Sequence, residues 1–124
     1  MNAYILINNS SIEIIKSAVN TAHTKATHIE VQPPYVSAYM NEKSDWYWYQ
    51  KQLGAWVYCF DKSVQRVSIN ELNQALKDFS LIEDFGGLEP CREIAKELEG
   101  YVAPTYMLCI MLLALERVEE GLNS

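Results

Sequence analysis

The chain has 124 residues, 49% of them hydrophobic, which suits one self-sufficient domain spanning 1–124. Its net charge of −6 is uneven: residues 67–124 hold eleven acidic against four basic side chains, whereas residues 1–66 hold five against six. An acidic surface excludes ordinary phosphate-backbone binding, so direct contact with nucleic acid is not expected. It suits a basic partner instead.

In chain order, the apolar run Ala3–Ile7 has the pattern of a buried strand. Asn8-Asn9 breaks it, and Ser10 with Glu13 matches a capping box, so a helix is predicted over about Ser11–Ala22. Thr27–Val31 alternates and is β-branched, which predicts a strand stopped by Pro33-Pro34. Together these form a strand–helix–strand unit, with parallel strands and a right-handed crossover as the expectation. Tyr35–Ser44 has no clear period and reads as a loop.

Asp45–Asp61 holds seven of the fourteen Phe, Trp and Tyr residues, and its Gln52-Leu53-Gly54 break predicts a hairpin. Alternation puts Trp46 and Trp48 on one face and Tyr47 and Tyr49 on the other. One buried face therefore does not explain all four rings. Asp61-Lys62-Ser63 then predicts a turn, and Val64–Val67 a third strand of a meander. Ser68 with Glu71 opens a helix to about Phe79, with Asn70, Asn73, Gln74, Lys77 and Asp78 pointing outward.

Glu83–Gly87 is a connector, and Pro90 preceded by Glu89 suits the first turn of the next helix. Cys91, Ile94, Ala95 and Leu98 face inward there, with Gly100 as the C-cap. Pro104 opens a last helix in which Tyr106–Leu115 is apolar on all sides, the mark of a core helix or an oligomer interface. At ten residues this run is half of the ~20 needed to span a membrane. The whole pattern predicts an α+β domain: a small mixed or antiparallel sheet of 4–5 strands with helices packed on it, and a mainly helical C-terminal half.

Cys59, Cys91 and Cys109 are odd in number and irregularly spaced, which argues for structural thiols in a reducing, cytoplasmic setting. His23 and His28 lack the helical spacing and the companion ligands of a metal site, so no metal and no cofactor are expected. Asp84-Phe85-Gly86 spells the kinase metal-binding triplet, but no other kinase motif accompanies it. Catalytic loops, phosphate loops and zinc-protease motifs are absent from the sequence, so no catalytic residue is assigned.

Tyr and Trp are enriched at binding hot spots, which makes Trp46, Tyr47, Trp48 and Tyr49 candidate anchors. Asp78, Glu83, Asp84, Glu89 and Glu93 surround the Gly86-Gly87 connector and are candidate acidic contacts. In size, acidity and lack of catalytic motifs the chain resembles the small immunity proteins of bacterial toxin–immunity pairs. That resemblance implies a monomeric or homodimeric inhibitor that occludes the active face of a basic toxin, a nuclease among the options. Phage-type inhibitors share the profile. A small enzyme or ligand-binding domain with a pocket between hairpin and helices is the alternative, and a structural or adaptor subunit is a further one.

Overall fold

The computed structural model describes residues 2–32, 35–61, 64–102 and 104–124. The elements are α1 (Ala3–Asn9), α2 (Ile12–Thr21), β1 (His28–Gln32), β2 (Tyr35–Glu42), β3 (Asp45–Gln50), β4 (Ala55–Tyr58), β5 (Val67–Ser68), α3 (Ile69–Asp84), α4 (Leu88–Glu97) and α5 (Tyr106–Leu122). The fold is α+β, with a five-stranded sheet ordered β4-β3-β2-β1-β5 and every paired neighbour antiparallel.

Three expectations fail at the N-terminus. Ala3–Ile7 is helical, because the Asn2 side chain accepts from the Ile5 N–H and starts a helix whose Ala3, Leu6 and Ile7 are buried. A five-residue apolar run does not distinguish a strand from a short buried helix, and here the cap decides. With no strand before α2, there is no parallel crossover. The cap of α2 is Ser11, which accepts from Ile14, and not the expected Ser10.

Tyr35–Ser44 is also corrected. It forms the longest strand, β2, followed by a tight turn at Lys43 (φ 52) and Ser44 (φ 70). Both turn residues take the left-handed conformation that joins twisted strands well, although neither is the usual Asn or Gly. The turn therefore carries none of the residues typical of its type. The proposed strand stop at Pro33-Pro34 and part of the turn at Lys62-Ser63 lie outside the described residues. The aromatic hairpin forms as expected, closed by Gly54 (φ 63).

The strand near Val67 exists, but it does not continue the meander. β5 pairs with β1 at the opposite edge of the sheet, in the register Ile29↔Val67. The chain from Cys59 to Arg66 must therefore cross the sheet from the β4 edge to the β1 edge. Four strand spacings are about 19 Å, within reach of eight extended residues.

β5 leads directly into α3, capped by Ser68, which accepts from Glu71. α3 is longer than expected and packs against α1, α2, α4 and α5. Its buried Leu72, Ala75, Leu76, Phe79 and Ile82 join Ile15, Ile29, Cys91, Met111 and Val118 in one core. Gly86 and Gly87, both at positive φ, turn the chain into α4. The C-cap of α4 is Leu98, and Gly100 (φ 83) follows it. α5 begins after Thr105, whose side chain accepts from Leu108, and not at Pro104. Among the described residues, no helix is long and apolar enough to cross a membrane.

α1 lies directly on α5. A Cβ at Gly121 would fall 2.5 Å from the Tyr4 ring, so this approach requires glycine. Gly121→Ala is expected to destabilise the fold by about 1–3 kcal/mol, the usual cost of overpacking. A lower urea midpoint with unchanged slope is the measurement.

Candidate functional site

Cross-strand pairing shows how the two aromatic faces are used. Ile29, Tyr47, Tyr49, Trp56, Tyr58 and Val67 share the face that meets the helices at β1 and β5. His28, Tyr39, Trp46 and Trp48 share the other face. On the helical face, the His23 ring lies tilted at 4.7 Å from Tyr49 and edge-on at 5.4 Å from Trp56. On the opposite face the Arg66 guanidinium lies 4.6 Å from the Tyr39 ring and 4.4 Å from Trp46.

Arg66 is held by the Val64 and Asp61 carbonyls and the Cys59 sulfur. Its buried Nε has no acceptor. The cation is satisfied there by ring faces, an arrangement that strengthens as water is excluded. His28 meets Trp46 edge-on at 4.6 Å, and burial pushes its imidazole below the usual value. His23 and His28 thus serve opposite faces and do not converge on one ion.

The four candidate anchors Trp46, Tyr47, Trp48 and Tyr49 are all half-buried. On and beside the sheet, the aromatic residues left open are Tyr35, Tyr58 and Phe60. A cleft of about 370 Å³ separates the end of α2 from the sheet, lined by Ala22, His23, Ile29, Ala38 and Tyr49.

Asp78 corrects its predicted outward position. It is 2% exposed and accepts from Tyr4, Gln74 and both Nε and Nη2 of Arg117. The helix stripe alone puts Asp78 outside. α1 and α5, which cover that side of α3, bring it in. Burial and the neighbouring Asp78 push the Tyr4 hydroxyl up to about 12, and the carboxylate raises Arg117 further. A cleft of about 390 Å³ opens beside this network, with Glu71, Gln74, Arg117 and Glu120 in its walls. Asp78 is therefore a structural carboxylate, removed from any docking surface.

The other acidic candidates are exposed. Glu83 and Asp84 end α3, while Glu89 and Glu93 start α4, so the Gly86-Gly87 turn does gather them. Arg92 bridges Glu89 and Glu119 and is raised by both. The acids thus end α3, whose sixteen residues rise about 24 Å from β5, and start α4, whereas the anchors lie in β3.

A surface not picked out as a site in the sequence lies at the acidic end. Tyr101, Val102, Tyr106, Met107 and Leu113 are exposed, with Val102 at 93% and Tyr106 at 79%. Tyr106, Ile110 and Leu113 form one stripe of α5, while Met111, Ala114, Leu115 and Val118 face the core. Cys109 is exposed as well, whereas Cys91 is buried with its thiol pushed up by burial. The all-round apolar character of 106–115 was the available signal. The helix serves a core on one side and leaves the other side uncovered.

Among the described residues no group of three or more His, Cys, Asp or Glu side chains is placed to hold a metal ion. No family model, curated protein or solved structure matches the chain.

Two outcomes follow from the buried polar groups. Tyr39 is pushed up to about 12 by burial and the Glu30 charge, as Tyr4 is by burial and Asp78. Raised folded-state values favour the neutral phenols, so their contribution is complete below about pH 10 and is lost as pH rises through about 12. Urea titrations across this window should show falling stability, with a shallower fall in Tyr4→Phe and in Tyr39→Phe. Arg66→Ala is expected to cost roughly 1–2 kcal/mol. It should also shift tryptophan emission to longer wavelength as Trp46 becomes wet.

Proposed function

We propose that the chain is a binding protein that neutralises a basic partner by covering its working face. This is the mode of small immunity proteins in bacterial toxin–immunity pairs, and the partner is a toxin domain, a nuclease being the fitting kind. Three free thiols accord with action in the cytoplasm.

The observation that carries this reading is the uncovered stripe of α5 at the acidic end. The Asp78–Arg117 pair and the shared cleft of Glu71, Gln74, Glu120 and Ser124 set α5 antiparallel to α3. The end of α3 bearing Glu83 and Asp84 therefore runs beside the half of α5 bearing Tyr106 and Leu113. Arg117 is held by the buried Asp78 and Arg92 by Glu89 and Glu119, while Glu83, Asp84 and Glu93 stay exposed, and acids outnumber bases eleven to four in this half. An apolar centre with a charged border is the usual anatomy of a docking surface. The acids speed encounter with a basic face, and the desolvated apolar groups set how long the complex lasts.

Salt-eluted capture from lysate of the native host is expected to recover one basic protein. Tyr106→Ala combined with Leu113→Glu should abolish that recovery. Glu83→Lys combined with Asp84→Lys should slow association several-fold at low salt and flatten its salt dependence. Binding indifferent to both pairs of changes would overturn the reading.

A further inference from the structure

We infer that the free edge of β4 is a self-pairing edge, through which two copies of this chain join their sheets antiparallel. The inference is independent of the docking surface on α5. In β3 and β4 the residues paired across the ladder are Tyr47↔Tyr58, Trp48↔Val57 and Tyr49↔Trp56. The Cys59 N–H donates to the Trp46 carbonyl at 2.9 Å, which makes that opposed pair a hydrogen-bonded one. Hydrogen-bonded and open pairs alternate in an antiparallel ladder. Val57 therefore bonds inward to Trp48, while the N–H and C=O of Trp56 and Tyr58 point away from the sheet. β4 ends the strand order, so no strand among the described residues meets those groups.

Outward main-chain donors and acceptors in alternation specify an extended strand as their occupant. The spacing further selects a second copy. A two-fold axis through Val57 sets Trp56 of one copy opposite Tyr58 of the other, and the reverse. Both members of each pair present outward groups, as a hydrogen-bonded pair requires. Their side chains share a face, so each pair is also an aromatic cross-strand contact. Tyr58 is 36% exposed, and Leu53 (71%) and Phe60 (85%) flank the strand with apolar surface that the single copy leaves open.

Charge supports this pairing. Acidic α3 packs on β5 and near-neutral α2 on β1, both away from the β4 edge. Edge-to-edge joining at β4 puts the two acidic halves at opposite ends of the combined sheet and brings near-neutral halves together. Because β4 has only four residues, the contact is small and the dimer is a concentration-dependent one.

Sedimentation equilibrium on the full chain from about 1 to about 100 µM tests this. The mass is expected to rise from 14.2 kDa toward twice that value. Amide hydrogen exchange at Trp56 and Tyr58 should slow at the concentrated end. Tyr58→Pro removes one outward donor without touching a bond to β3, and it should stay monomeric. If that variant does not fold, Tyr58→Lys decides, since an edge lysine opposes pairing. A single copy throughout the range would overturn the inference and leave the edge to another protein's strand. A dimer that survives both Tyr58 changes but is lost in Leu113→Glu would overturn it too, moving the contact to α5.

Discussion

The helical half is organised around one buried carboxylate. Asp78 sits on α3 but takes its donors from α1, α5 and its own helix, through Tyr4, Arg117 and Gln74. A carboxylate out of water is tolerated only when its oxygens are fully engaged, and here both are. Removing one member of such a set typically costs about 3–5 kcal/mol, and the partial exposure of Arg117 places this case toward the lower end. The same group fixes the antiparallel direction of α5 against α3 and the seat of Tyr4 over Gly121. Every surface on the acidic side inherits its geometry from these constraints.

The sheet solves a different problem. Its outer half extends past the helices, so large rings on both faces need cover that the core does not supply. His23 provides it on one face and Arg66 on the other, each from a segment that is neither helix nor strand. The concentration of aromatic residues in the hairpin therefore marks a sheet that must be sealed by single side chains. Tyr49 and Trp46 are sealed in this way and Tyr47 meets Tyr58 edge-on, while Leu53, Tyr58 and Phe60 stay exposed beside them.

How legible this was depends on whether the signal was local. The β3–β4 hairpin with its Gln52-Leu53-Gly54 loop, the cap at Ser68 and the stripe of α3 are short-range features, and the sequence carries them openly. Ala3–Ile7 is too short for periodicity to choose between helix and strand, and the Asn2 cap together with packing on α3 and α5 settles the matter. β2 lacks alternation because Tyr39 is buried on the outer face under Arg66, against the sense of the hydrophobic core. Asp78 looked exposed because a helix stripe reports one contact face, whereas α3 is covered by four helices. The apolar stripe of α5 was visible as composition, but its division into core side and open side required the neighbouring helices.

The strap from Cys59 to Arg66 has a consequence for the order of assembly. β1 to β4 are joined by short connections and can pair as local hairpins, whose closure is fast. β5 reaches β1 only after the chain has passed over Tyr39 and Trp46, so its pairing closes a much longer loop. α3 starts within that pairing, at Ser68 and Ile69. The step that seals the aromatic face therefore also docks the central helix. Sheet and helical core are joined in time as well as in space, and neither is complete before the strap has crossed.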